Sequence, residues 1–316
     1  MWFPITVIAY FLNAGVYTAD KYFLSKKIHS SISYAFYVGI WSICNAILLA
    51  FNWFMPSWQW LIIDFIAGFL FLWALIAWYK ALHQSEATKV VPLVGVLIPV
   101  FSLLLSYVFL GTVLNQQTLL ALFVLITGGA LISLKHKEEG KIKYLIHKVR
   151  AFFGFKDAEA HSVRRLIINS IIAAFAFASY YVLVKYIYLH QPFLGSYIWT
   201  RIGGFIGALL LIVIPYNRRI IFTTEKRKVA IKNLPLFLSI RLLATVAFIL
   251  LNYAISLGDV AIINALQGIQ YVFLIIIVIV LSEKYPDILK EEINKKVLTQ
   301  KFVGVVMIGI GLYLLI

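Results

Sequence analysis

The sequence predicts an all-α membrane protein in which ten transmembrane helices form two inverted five-helix repeats. Three observations predict this fold: a composition suited to lipid, an alternating distribution of basic residues, and short motifs that recur in the same order in each half. Of the 316 residues, 62% are hydrophobic and 13% are charged, whereas soluble domains are about half apolar and a quarter charged. Only helices and closed barrels cross lipid, and unbroken apolar runs favour helices.

Ten apolar stretches are long enough to cross the hydrocarbon core, which takes about 20 residues of helix. They begin near Pro4, Ser33, Trp58, Thr88, Gln117, Arg165, Phe193, Leu234, Val260 and Thr299. The N-terminus has neither the basic region nor the small-residue cleavage site of a signal peptide. We therefore expect the first stretch to be a retained helix, and we number the predicted helices one to ten.

Basic residues decide the predicted orientation. The chain has 28 Lys and Arg residues against 13 Asp and Glu, a formal net charge of +15. Apart from Lys185, Arg201 and Arg241, all Lys and Arg residues lie in or beside the connections that follow odd-numbered helices. Cytoplasmic loops are rich in Lys and Arg, so we expect a multi-pass protein of the inner (plasma) membrane with both termini outside. A compact basic domain with interleaved aromatic residues is lacking, so no nucleic-acid partner is expected.

The longest break in the apolar pattern divides the chain near its middle. It predicts a first repeat at 1–134, a basic cytoplasmic linker at 135–164, and a second repeat at 165–316. Within the linker, the sequence KIKYLIHKVRAFFGF has its apolar residues on one helical face. This pattern is typical of a helix that lies on the anionic inner leaflet. The alternative is a solvated basic linker without a helix.

Short motifs recur in the same order in the two halves. DKYFL at 20–24 recurs as VKYIY at 184–188, YKAL at 79–82 recurs as NYAI at 252–255, and LNQQ at 114–117 recurs as LTQK at 298–301. Because five is an odd number, two five-helix copies in one chain must enter the membrane from opposite sides. Inverted repeats of this kind are frequent in secondary transporters and place a cavity near the midplane between the halves.

These motifs resemble a known family. The segment 79–132, beginning YKALHQSEATKVVPLVGV, resembles the EamA repeat of the drug/metabolite transporter superfamily. The second half resembles it through NYAISLGDVAIINAL, VLSEK and VGVVMIGIGLYLL. The resemblance covers nearly the whole chain in two copies. It implies the ten-helix fold, transport of a solute, and a cavity lined by the fourth and ninth helices.

The chain also departs from the family pattern. The first copy has Thr112 where the repeat usually has a glutamate, whereas the second copy keeps Glu283. The arginine of the repeat's second helix is present as Arg201, but the matching first-half position is near Gly39. Ten-helix members are expected to have cytoplasmic termini, and the charge distribution here predicts the reverse orientation.

Charged residues inside apolar runs are the first candidates for a site. A charge at the bilayer centre costs about 2.5–3.5 kcal/mol on insertion scales, so Arg201 and Arg241 should face protein or water. A guanidinium offers five fixed donors, which suits recognition of a carboxylate or phosphate. The alternative role is structural, in which the guanidinium bonds to helix-end carbonyls. Asp20 and Asp64 are the acids inside apolar runs, and they are the candidates for coupling transport to protons.

Uncharged polar residues complete the predicted site. Helix nine carries Asn264, Gln267, Gln270 and Tyr271 on one stripe, which suits either a solute or hydrogen bonds between helices. Further candidates are Asn13 and Tyr17 in helix one, Trp73 in helix three and Asn252 in helix eight. Trp58, Trp60 and Trp78 are expected in the interfacial belt of aromatic residues; the alternative for Trp78 is a place in the site of helix three.

The predicted function follows from these patterns. The sequence has no metal-ligand cluster, catalytic nucleophile or phosphate-binding loop, so we expect neither an enzyme nor a cofactor. We predict a secondary transporter, in the export direction, for a small polar or amphipathic metabolite, driven by a proton or a counter-solute. A homodimer is compatible with the pattern. The alternatives are a flippase for a lipid headgroup and a membrane-embedded enzyme acting on a lipid-linked substrate.

Overall fold

The computed structural model describes residues 1–26, 30–51, 53–84, 87–133, 158–222, 234–282 and 295–315. Within these ranges the chain is helical and contains no strand. The first half contains α1 (Trp2–Lys26), α2 (Ser31–Trp41), a 3-10 helix (Ser42–Ala50), α3 (Trp58–Gln84), α4 (Ala87–Leu110) and α5 (Gln116–Ser133). The second half contains α6 (Ala158–His190), α7 (Phe193–Val213), α8 (Pro215–Phe222), α9 (Leu234–Leu257), α10 (Val260–Ala265), α11 (Gln267–Ser282) and α12 (Lys295–Leu315).

The structure confirms an all-α membrane protein. Among the described residues, seven helices are long and apolar enough to cross a membrane, and three shorter apolar helices lie at 116–132, 260–274 and 302–314. The predicted second helix corresponds to α2 together with the 3-10 helix, and the predicted ninth helix is divided at Leu266 into α10 and α11. The predicted helix in KIKYLIHKVRAFFGF lies outside the described residues, and α6 begins at Ala158, before the predicted start of the second repeat.

Neighbouring helices pack with defined directions. Trp2 at the start of α1 contacts Gly258 just after α9, and Gly15 faces Leu243, so α1 and α9 are antiparallel. The ring of Trp60 near the start of α3 stacks on His190 at the end of α6 with 5.2 Å between centroids, so α3 and α6 are also antiparallel.

Glycines allow two pairs of helices to approach closely. A Cβ atom on Gly68 of α3 would lie 2.3 Å from the carbonyl oxygen of Thr200 on α7, and one on Gly203 would lie 2.7 Å from the Cα of Phe65. Between α5 and α12, a Cβ on Gly128 would lie 2.9 Å from the carbonyl oxygen of Gly304. At these contacts backbone meets backbone, which is typical of small residues at membrane helix interfaces.

Two lysines bind the C-terminal ends of helices. Lys21 Nζ, near the end of α1, donates to the carbonyl oxygen of Leu82 on α3 at 2.7 Å. Lys185 Nζ, near the end of α6, donates to the carbonyl oxygens of Ile255 and Ser256 on α9 at 3.0 and 3.1 Å. The last carbonyls of a helix have no partner within it, so each lysine both satisfies free acceptors and places its charge at the negative end of a helix dipole.

Candidate functional site

A central cavity lies between α1, α2, α3, α6, α7 and α9. The space measures about 750 Å³ when its open mouth is included. Its walls are Asn13, Val16, Tyr17, Asp20, Val38, Trp41, Ser42, Asn45, Phe71, Leu75, Trp78, Tyr79, Phe177, Tyr181, Tyr197, Arg201, Arg241, Ala244, Thr245, Phe248 and Leu251. Five of the predicted site residues therefore share one cavity: Asn13, Tyr17, Asp20, Arg201 and Arg241.

Asp20 of α1 and Arg241 of α9 form a buried ion pair on the cavity wall. The Asp20 carboxylate also accepts hydrogen bonds from the hydroxyls of Tyr34, at 2.6 Å, and Tyr79, at 3.3 Å. Arg241 Nη2 in turn donates to the Tyr34 hydroxyl at 3.2 Å. The two charges neutralise each other, so this cluster contributes no net charge to the cavity.

Arg201 of α7 has a different environment, made of aromatic rings. Its Cζ atom lies 4.2 Å from the ring centroid of Phe71 and 4.5 Å from that of Phe248, and the side chain is 3% exposed. Its Nη2 donates to the Tyr180 hydroxyl at 3.0 Å, whereas its Nε has no hydrogen-bond partner among the described residues. Within the described ranges, no carboxylate lies within ion-pair distance of this guanidinium.

Asn252 of α9 acts on Arg201 through the Tyr180 hydroxyl that both side chains contact. Its Oδ1 accepts from the hydroxyls of Tyr180, at 3.1 Å, and Tyr188, at 3.0 Å, while its Nδ2 donates to the carbonyl oxygen of Phe248 at 2.9 Å. Asn252 is fully buried and lies outside the cavity wall. This predicted binding residue therefore orients the tyrosine that contacts Arg201.

Several cavity residues were not singled out by the sequence analysis. Trp41 Nε1 donates to Thr245 Oγ1 at 3.0 Å, which bridges α2 and α9. Asn45 in the 3-10 helix accepts from the Tyr197 hydroxyl at 3.3 Å and lines the cavity. Ser42 and Asn45 are polar residues in an apolar run, a signal that could have identified them. Trp78 is 3% exposed in the cavity wall, which contradicts the expected interfacial position and matches its alternative place in the site.

The polar stripe of the predicted ninth helix faces α4 and lies outside the wall of the central cavity. Asn264 Nδ2 donates to Ser102 Oγ at 2.8 Å, and the Tyr271 hydroxyl donates to the carbonyl oxygen of Val91 at 3.4 Å. Gln267 and Gln270 are also buried, and neither amide atom of Gln270 has a hydrogen-bond partner in the described part of the chain. The contacts of Asn264 and Tyr271 match the interhelical alternative.

Trp73 and Asp64 also lie away from the central cavity. Trp73 is 52% exposed on the outer face of α3. Asp64 is fully buried where α3 meets α7, and neither of its carboxylate oxygens has a hydrogen-bond partner among the described residues. Among those residues there is also no group of three or more His, Cys, Asp or Glu side chains that could hold a metal ion.

Comparisons with known proteins bear on the fold alone. No family model matches the chain, and no curated protein matches it. A solved structure described as "Crystal structure of protein" matches 98% of this chain and 95% of its own length, with a TM-score of 0.60 and 14% sequence identity. The chain is thus similar over nearly its whole length to a solved fold, at an identity too low to carry a function.

Proposed function

We propose that the protein is a secondary transporter with ten spans, of the drug/metabolite transporter type, that exports a small polar or amphipathic metabolite by alternating access. The observation that carries the proposal is a central cavity lined by polar side chains from both halves of the chain. Asn13 and Asn45 come from the first half, and Tyr197 and Arg201 come from the second. Cavities at the interface of two repeats are where secondary transporters bind their solutes.

The lysine contacts support the inverted repeat. Lys21 and Lys185 occupy matching positions of DKYFL and VKYIY, and their acceptors Leu82 and Ile255 occupy matching positions of YKAL and NYAI. The same contact thus forms once in each half, between the first and third long helices. The packing of α1 against α9 and of α3 against α6 is likewise a matched pair under the exchange of halves.

One matched pair of helices differs, and this difference supports alternating access. α3 packs closely on α7 through Gly68, Gly203 and Gly204. The corresponding pair is α9 and α2, which are bridged by side chains such as Trp41 and Thr245 without close backbone packing. Two nearly equivalent interfaces, one closed and one parted, are what a carrier needs in order to exchange them between two states.

The motif alignment places Arg241 at the position of Gly68. Both residues lie eleven positions before the matched pair of Tyr79 and Asn252. A glycine lets α3 approach α7, whereas a long guanidinium side chain paired with Asp20 occupies the space in front of α9. The difference in residue size matches the difference between the two interfaces in this state of the protein.

Uptake into proteoliposomes tests the transport function. The purified chain would be reconstituted and assayed by counterflow with a panel of labelled metabolites that span charge and polarity. Ala244→Trp should abolish saturable uptake because Ala244 lines the cavity, and Val246→Trp is the matched control because Val246 is 50% exposed on the outer side of the same helix. Equal uptake by Ala244→Trp and the wild type, or no saturable uptake of any solute, would contradict the proposal.

A flippase for a lipid headgroup is the second candidate. The observation that favours it is the parted interface between α2 and α9 beside the cavity, which offers a headgroup a way in from the bilayer. A fluorescent-lipid scrambling assay in the same proteoliposomes separates the two functions. Headgroup movement that requires the protein and is lost in Ala244→Trp would favour the flippase.

A further inference from the structure

We propose that Arg201 binds the anionic group of the transported solute, and that the solute is a monovalent anion with a flat apolar body, such as an aromatic sulfonate or carboxylate. This inference rests on the proposed transport function and deepens it by assigning the substrate class. Its basis is the contrast between the two arginines of one cavity: Arg241 has a carboxylate partner and Arg201 has an aromatic cage.

The charge of the cavity favours one negative charge on the solute. Three ionisable side chains with a full charge line it: Asp20, Arg201 and Arg241. The first and the last neutralise each other, which leaves the guanidinium of Arg201 uncompensated among the described residues. A buried charge without a partner is costly, so a bound monoanion restores neutrality, whereas a cation adds to the positive charge and a dianion overcompensates it.

The hydrogen bonds of Arg201 leave donors for an anion. A guanidinium has five N–H donors and no acceptor, and one bond from this side chain, to the Tyr180 hydroxyl, is present. The buried Nε is without a partner in the described part of the chain. Two neighbouring N–H groups of a guanidinium form a fork that matches the geometry of two oxygens on one carboxylate or sulfonate.

Aromatic side chains define the body of the solute. Phe71 and Phe248 flank the guanidinium, and Trp78, Phe177 and Tyr181 continue the wall away from it. Phe177 lies within 6.1–6.3 Å of Phe71, Trp78 and Tyr181 between ring centroids, so these rings form a continuous apolar surface. A planar aromatic group can pack on that surface through further edge or face contacts. The amides of Asn13 and Asn45 supply polar positions at other points of the wall.

The test is a charge series on one ring, measured as binding to the purified chain in detergent. The probes are benzenesulfonate, benzenesulfonamide, phenyltrimethylammonium and benzene-1,3-disulfonate, with charges of −1, 0, +1 and −2. The tryptophans of the cavity wall, Trp41 and Trp78, provide a fluorescence signal that binding should change. We expect benzenesulfonate to bind most tightly, and its affinity should fall about tenfold to a hundredfold in Arg201→Gln, as expected for charge-assisted hydrogen bonds.

Two further variants separate binding from folding. Arg201→Lys keeps the charge and loses the fork, so its affinity for benzenesulfonate should lie between those of the wild type and Arg201→Gln. Arg218→Gln is the control because Arg218 is exposed at the start of α8, and it should bind as the wild type does. If Arg201→Gln does not fold, the charge series on the wild type and the Arg201→Lys variant decide the matter.

Four outcomes would overturn the inference. The first is no binding of benzenesulfonate, and the second is binding of the neutral, cationic or dianionic probe as tight as that of benzenesulfonate. The third is an affinity for benzenesulfonate in Arg201→Gln within about twofold of the wild type, and the fourth is Arg201→Lys matching the wild type. Failure of the two proposals is distinguishable. Selective anion binding without transport of any solute sustains the site and contradicts the transporter, whereas transport restricted to neutral or cationic solutes sustains the transporter and contradicts the site.

Discussion

Separating the buried ion pair should destabilise the protein by an amount that depends on which partner is removed. Asp20→Asn leaves the Arg241 guanidinium buried, with the Tyr34 hydroxyl as an acceptor. Arg241→Met leaves a carboxylate that still accepts from Tyr34 and Tyr79. A carboxylate can also take up a proton, whereas a guanidinium stays charged. Asp20→Asn should therefore be the more damaging substitution.

The structure sets the size of the effect. Removing one partner of a buried ion pair costs about 3–5 kcal/mol. Each hydrogen bond to a charged group contributes about 1.5–3 kcal/mol, so the two tyrosine bonds that persist in Arg241→Met place its loss near the lower end of that range. Replacing both partners by uncharged residues is often well tolerated. The double variant should thus lose less than the sum of the single losses, by about 3 kcal/mol or more.

The measurement is the free energy of unfolding in mixed micelles, taken for both single variants and the double variant as a double-mutant cycle. Arg218→Met is the control, since Arg218 is exposed and its replacement should change stability little. Additive losses in the double variant would refute the coupling. A larger loss for Arg241→Met than for Asp20→Asn would refute the role given to the tyrosine hydroxyls.

Three other predictions follow from the packing and the charge pattern. Gly68→Ala should destabilise the protein by about 1–3 kcal/mol through overpacking. Gly309→Ala is the control, because a Cβ atom at Gly309 would meet no atom within 4 Å. Equal melting temperatures of the two variants would contradict this prediction. Lys185→Met should lower the free energy of unfolding by about 1–3 kcal/mol, because two carbonyls at the end of α9 lose a charged donor. Lys80 is exposed, so Lys80→Met should leave the free energy of unfolding unchanged in the same assay. No change in Lys185→Met would argue against a stabilising role of the Lys185 hydrogen bonds. An alkaline phosphatase fused after Ile316 should be active, because the charge distribution predicts that this end lies outside. An inactive fusion would contradict the predicted orientation.

The helices could be predicted from sequence because lipid acts on each segment separately. The predicted starts at Trp58, Phe193, Leu234 and Val260 coincide with helix starts in the structure. The division at Leu266 could not be predicted, since no proline or glycine occupies that position. The 3-10 conformation that begins at Ser42 also has no local signal, because the same apolar residues are equally compatible with an α-helix.

Residues of the cavity wall were predictable where a polar side chain interrupts an apolar run. Asn13, Asp20, Arg201 and Arg241 were found in this way, and all four line the cavity. The direction that a helix faces was not predictable, because it depends on partners that are distant in sequence. The polar stripe that contains Asn264 is an example, because it faces α4 and not the central cavity. The location of the aromatic residues could not be predicted either, because both the lipid interface and the interior of the protein favour aromatic side chains.

The glycine contact between α3 and α7 limits how those two helices can part. At Gly68 and Gly203 the main chain of one helix contacts the main chain of the other, so a change of side-chain rotamer cannot widen the contact between them. A slide of one helix along the other by one turn would bring the side chain of Phe65 or Leu72 to the place of Gly68, against the main chain of α7. Sliding is thus opposed by overpacking, whereas a rigid swing of one whole helix away from the other meets no such obstacle.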